Sequence, residues 1–159
     1  MIRTFVSGLS AALLLASTLA SANETATVIN DKQAAKKLLG EHGLTLQWVS
    51  WEPKDAGLAT VENRNGVYYL NGRQDSNENS DFVKVDGVIT RVDAKQFTFK
   101  GKIITQYADT ENKPCTRDGE FTFLIKGGRQ FWRLQQMDNP CDPDSYPTTD
   151  YVDLRFKKP

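Results

Sequence analysis

The sequence predicts an all-β domain: one short N-terminal helix, then about eight antiparallel strands closing as an up-and-down β-barrel. Three observations predict it. Apolar and polar residues alternate at period two, most cleanly where Phe97, Phe99, Gly101 and Ile103 share one face and Thr98, Lys100 and Lys102 the other. Tight turn signals, above all Asn65-Gly66 and Gly127-Gly128, separate the alternating runs. No helical segment falls between those runs, so the crossovers of a parallel sheet are missing. A meander of this kind hides its edge strands by closing on itself, with the helix plugging one end. A two-sheet β-sandwich is the first alternative. A five-stranded OB-type barrel, with Val85 to Ile104 as its central hairpin, is the second.

The first 22 residues stand apart from that domain. Arg3 precedes an uncharged apolar run from Phe5 to Leu19, and Ala20-Ser21-Ala22 offers small residues where a signal peptidase reads. This is the pattern of a cleavable export signal, too short for a spanning helix. It places the mature protein in the periplasm or outside the cell, as one domain over residues 23–159. No later stretch is long and apolar enough to span a membrane.

The elements follow in order. Asn30 can cap a helix through Ala34, Ala35, Leu38 and Leu39, with Gln33 to reciprocate and Gly40 as the stop. Leu44, Leu46 and Trp48 then alternate with Thr45 and Gln47, which predicts a half-buried strand. Pro53 to Gly57 breaks it. Leu58 to Glu62 and Val67 to Gly72 flank Asn65-Gly66, a strong hairpin signal. After a polar loop, Phe82 to Val92 and Phe97 to Tyr107 flank a turn at Ala94-Lys95, setting Val92 opposite Phe97 and Thr90 opposite Phe99. Gly101 on the apolar face predicts a bend or a close backbone approach, as at a barrel corner. The last strand runs from Tyr151 to Phe156, with Val152, Leu154 and Phe156 on one face.

Cys115 and Cys141 are the two cysteines, and an even count in an exported chain predicts one disulfide. Register supports it. If Gly127-Gly128 is a two-residue turn, Phe123 faces Trp132 and Phe121 faces Leu134. The same ladder brings Cys115 beside Cys141, so the bridge clamps the open end of this hairpin. In the chain-entropy picture a loop of this size contributes about 3–4 kcal/mol.

A helix followed by eight strands resembles, in pattern, the lipocalin and fatty-acid-binding group of barrels. The Gly-x-Trp signature that opens many lipocalins is absent: in Gly43-Leu44-Thr45-Leu46-Gln47-Trp48 the two residues lie too far apart.

Composition narrows the function classes. Without Arg3 the mature chain has 19 Lys and Arg against 20 Asp and Glu, a balance that argues against a nucleic-acid partner. His42 is the sole histidine, expected on the surface beside Glu41, so a two-His metal site is out of reach. No nucleophile elbow, P-loop or dinucleotide fingerprint occurs, and no cofactor is implied. Glu52 and Asp55 form a carboxylate pair of the kind expected by chance in an acidic loop. Asp75, Asn77, Asn79, Asp81 and Asp86 fall at calcium-loop spacing, but Ser80 stands where such a loop needs Gly. That segment reads as a solvated connection, and Asp138, Asp142 and Asp144 as part of a rigid surface loop.

The aromatic residues remain. Trp48, Tyr69, Phe99, Phe123 and Trp132 are expected on inward faces, filling a core or lining a pocket. The first functional expectation is a non-catalytic exported barrel that binds a small, partly apolar ligand through these five residues. The alternative is a protein-binding or inhibitory module of the cell envelope, acting through an outer face that bears Arg129, Arg133, Arg155 and Tyr151 with Gln130, Gln135 and Gln136. A small hydrolase with no recognisable motif is the second alternative.

Overall fold

The structure, a computed structural model, describes residues 25–142 and 148–156. The export signal read over residues 1–22 lies outside the described residues, as does Asp144. In chain order the elements are β1 (Val28–Ile29), α1 (Lys32–Leu38), β2 (Gly40–Leu46), β3 (Gly57–Arg64), β4 (Val67–Asp75), β5 (Phe82–Val92), β6 (Gln96–Gln106), β7 (Cys115–Leu124), β8 (Phe131–Leu134) and β9 (Val152–Arg155). Strands β2 to β9 each pair antiparallel with the next, and β9 pairs back onto β2. The result is a closed eight-stranded barrel, not a sandwich or an OB-type barrel. The two-residue β1, which alternation does not predict, runs parallel to β5 at Arg91 and Val92, beyond the Tyr68–Ile89 pair where the β4 pairing ends.

Helix α1 is capped one residue later than expected. Asp31 accepts a hydrogen bond from the Ala34 amide at 2.7 Å, while Asn30 donates its side-chain amide to Asp93 at 2.7 Å. Either residue type can cap. Ala34, Ala35 and Leu38 face inward and join the barrel's apolar cluster. Gly40 ends the helix in a left-handed conformation, φ 100°, and starts β2 directly.

Turn chemistry sets most registers. Asn65 and Gly66 both have positive φ, 53° and 88°, which makes the two-residue turn joining Arg64 to its partner Val67. Val92 faces Phe97 as expected, but a bulge after Ile89 leaves Thr90 unpaired and puts Ile89, not Thr90, opposite Phe99. Gly87, Gly101 and Gly119 sit side by side across β5, β6 and β7. A Cβ on Gly101 would lie 2.4 Å from the Asp86 carbonyl oxygen and 2.6 Å from the Gly87 Cα. The close approach read from the sequence is therefore present at this corner.

Two strand readings are corrected. Strand β2 stops at Leu46, whose carbonyl accepts from the amides of both Val49 and Ser50. That turn takes Trp48 out of the inward alternation. Between β7 and β8 the Gly127-Gly128 turn is not two residues long: Phe123 pairs with Leu134 and Leu124 with Arg133, two positions from the expected ladder. The cause is a longer loop, since the Ile125 amide leaves β8 to donate to Lys95 and Gln130 accepts from Phe156. A slip of two preserves the inward face, so Phe121, Phe123, Trp132 and Leu134 are all buried. The Cys115–Cys141 disulfide forms, with a Cα–Cα distance of 5.8 Å. No helix among the described residues is long and apolar enough to cross a membrane.

Candidate functional site

The five aromatic residues singled out from the sequence do not converge. Phe99, Phe123 and Trp132 are buried and packed on their neighbours. Phe97 stacks on Phe123 at 5.0 Å and meets Trp132 edge-on at 5.8 Å, while Phe99 meets Phe123 edge-on at 6.2 Å. These rings fill the barrel against one another. Tyr69, expected inward, is on the outer face with the Arg64 guanidinium 4.7 Å above its ring. It shares strand parity with Asn71 and Arg73, and Tyr68 takes the inward place instead. Trp48 is at the rim, 43% exposed.

The rim beneath Trp48 holds a buried polar cluster. Tyr107 donates to Asp150 Oδ1 at 2.5 Å, and Arg117 Nη2 reaches Asp150 Oδ2 at 3.1 Å. Asn139 donates to Tyr107 Oη, Thr105 Oγ1 and Asp150 Oδ2, and its own oxygen accepts from the Cys141 amide. The Trp48 ring stacks on Tyr107 at 5.8 Å. Burial raises the Asp150 carboxyl above its ordinary range, against the Tyr107 bond and the Arg117 charge. Burial, then the neighbouring Asp150, likewise raises the Tyr107 phenol. Arg117 Nε is buried without a partner among the described residues. This cluster is shielded from solvent, so its chemistry is structural: it fixes the loop after β8 and the Trp48 ring.

The outer face of β8, β9 and β2 is different. Strand alternation that buries Trp132, Leu134, Val152 and Leu154 turns Phe131, Arg133, Asp153 and Arg155 outward. Asp153 is nonetheless shielded, because Arg133 lies beside it on β8 and makes a bidentate ion pair at 2.7 and 2.8 Å. That hydrogen bonding raises Arg133 further above its ordinary value. Arg155 Nη2 is 3.9 Å from the same carboxylate, and Arg155 Nε donates to Thr45 Oγ1 at 3.0 Å. Rings surround these charges. The Arg133 guanidinium lies 4.3 Å from the Tyr151 ring, 5.0 Å from Phe131 and 5.9 Å from Trp51. Trp51 is 49% exposed and leans on Tyr151 at 6.1 Å. Between Trp48 and Trp51 runs an open groove of about 520 Å³, floored by Gln47, Thr149 and Tyr151 with Asp109 at one wall.

Sequence reading flagged Arg133, Arg155 and Tyr151 but missed Trp51, Phe131 and Asp153. Strand parity points to Phe131 and Asp153, since both are outward by the alternation that buries their neighbours. Trp51 comes from a turn whose path no periodicity describes. His42 is corrected from surface to core: it is 4% exposed, in parity with Leu44 and Leu46. Its Nε2 is 2.7 Å from the Leu38 carbonyl and its Nδ1 3.3 Å from that of Arg155, so the ring clasps the end of α1 to β9. The segment at calcium spacing does not converge either. Asp75 pairs with Arg73, Asn77 donates to Asp55, and Asp86 stands on β5 opposite Lys102. Asp55 also accepts from the Ser50 hydroxyl, whose oxygen accepts from the Glu52 amide, so these bonds order one loop. Among the described residues no three His, Cys, Asp or Glu side chains cluster as metal ligands would.

No solved structure matches this chain. A Pasteurella multocida (strain Pm70) protein described as uncharacterized protein PM1083 is 35% identical over 158 residues, which cover 97% of this chain and 98% of the relative. The PM1083 family model matches residues 26–156, from the arm before β1 to the end of β9, and the chain therefore belongs to the PM1083 family.

Proposed function

We propose that this protein is a non-catalytic binding domain of the periplasm or the cell exterior, and that it engages a protein partner through the outer face of β8 and β9. One observation carries the reading: Arg133 is fixed by shielded Asp153 and ringed by Phe131, Tyr151 and half-exposed Trp51. Arg, Trp and Tyr held in place on a surface are the side chains that dominate protein interfaces. Pre-ordering lowers the entropy cost of association. The disulfide and the signal-like first 22 residues support an exported location.

Photo-crosslinking in the producing cell tests this. With a photoreactive residue at Trp51, the full chain should form one discrete protein adduct. The same residue at exposed Lys100, on β6, should form none. Equal labelling at both sites, or none at Trp51, would overturn the reading.

The groove between Trp48 and Trp51 favours a second reading, a small, partly apolar ligand held at the rim. Binding there would change Trp fluorescence, and Trp48→Phe with Trp51→Phe would remove the response. A ligand response that survives both changes would rule out the rim as its site.

A further inference from the structure

Three arginines converge on one outward ring. Arg129, Arg133 and Arg155 place their guanidinium groups 5.6, 5.0 and 5.3 Å from the Phe131 centroid. Along the chain Arg129 and Arg133 bracket Phe131, and Arg155 sits directly beside it on β9. Among the described residues the carboxylate set among these rings is Asp153, and it is committed to Arg133 through both oxygens. Arg155 touches it only at 3.9 Å, and Arg129 acts on it only through its charge. Three guanidinium groups against one carboxylate leave a local positive excess on a chain whose Lys and Arg equal its Asp and Glu, 20 each. The excess is therefore a property of this face. Glu41 lines a groove together with Gly43 and Arg155 at the edge of this patch; counted in, it leaves three guanidinium groups facing two carboxylates, still a positive excess.

We infer that this face docks an acidic segment of a protein partner, with Arg129 and Arg155 receiving its carboxylates around Phe131. The inference rests on the proposed function and names the partner's chemistry. Charge complementarity argues for the occupant. Guanidinium groups donate paired hydrogen bonds to carboxylates, and weakly hydrated Arg on an aromatic ring loses less on desolvation than Lys. Neighbouring Trp51 and Tyr151 give the protein segment an apolar border.

The test uses the full exported chain, isotopically labelled, and an acetylated hexaglutamate peptide as probe. Amide shifts should concentrate on Phe131–Leu134 and Val152–Arg155 and weaken about tenfold when salt rises from about 50 to about 300 mM. Arg129→Glu, on an exposed loop, should weaken the response about tenfold with the melting temperature unchanged, and Arg129→Lys should recover part of it. Inorganic phosphate and phosphatidylglycerol vesicles serve as competing anion sources. Shifts scattered over the barrel, indifference to Arg129→Glu, or equal shifts from phosphate or vesicles would overturn the acidic-partner inference. The crosslink at Trp51 separates the two claims. An adduct that persists in Arg129→Glu leaves the binding reading standing and removes this one, whereas no adduct in the unaltered chain removes both.

Discussion

At one end of the barrel α1 adds Ala34, Ala35 and Leu38 to the cluster that contains Phe97 and Trp132. At the other, Tyr107, Arg117, Asn139 and Asp150 meet in a hydrogen-bonded group beside the Cys115–Cys141 bridge. The first closure is non-directional: any side chain of suitable volume contributes by leaving water. The second is directional, because each member satisfies another, and removing one strands its partners in low dielectric. The polar end holds the loop after β8 and the Trp48 ring, so it shapes the rim on which the second functional reading depends.

The largest expected effect lies at the apolar end. Phe97 is fully buried between Phe123 and Trp132. Phe97→Ala should cost about 3–5 kcal/mol in chemical denaturation, because the rigid barrel cannot collapse into the space left. A loss under about 1 kcal/mol would mean that the rings repack and that this end is looser than its contacts suggest.

The next effect belongs to the staple at the polar end. Cys115 and Cys141 are 26 residues apart, and closing a loop of that length contributes about 3.5 kcal/mol in the chain-entropy model. Cys115→Ser with Cys141→Ser should lower stability by about that amount. It should also expose Trp48 to quencher before global unfolding, since the loop that meets it is released first. If Trp48 shielding and the far-UV signal instead melt together, the two ends form one cooperative unit.

The apolar core was legible in the sequence, whereas at the polar end only the Cys115–Cys141 bridge was. Periodicity identifies Phe97, Phe99, Phe123, Trp132 and Leu134 as inward because each side chain's direction follows from its strand position alone. That is why a two-residue slip in the β7–β8 register left the core correct. Asp150, Asn139, Arg117 and Tyr107 are drawn from four separated stretches of chain, and only tertiary placement joins them. A lone Asp in a loop rich in Pro and Asp carries no mark of burial. Trp48 was read as inward and Trp51 carried no reading, because the turn after Leu46 breaks the period that runs through Leu44 and Leu46. The outer Arg cluster lay between these cases. Parity identified Arg133 and Arg155 as outward, but the shielded Asp153 that anchors them reads as one more surface acid until β2, β8 and β9 stand side by side.

The smallest effect tests the electrostatics of the polar end. In the folded chain the Asp150 carboxyl holds its proton above the ordinary value of 3.8, because burial outweighs the help from Tyr107 and Arg117. A raised value has a definite sign: the contribution is fully present below the unfolded value and is lost as pH rises through the folded one. Asparagine in this position cannot ionise and lacks that loss. The stability advantage of the native chain over Asp150→Asn should therefore be greater near about pH 3 than near about pH 7, as read from urea midpoints at the two pH values. An advantage that grows with pH would mean that the Arg117 charge dominates and that the cluster acts as a buried ion pair. In that case Arg117→Met should be costly at about pH 7, and the cost should fall only as acid below the ordinary value of 3.8 protonates Asp150 and removes its need for a counter-charge.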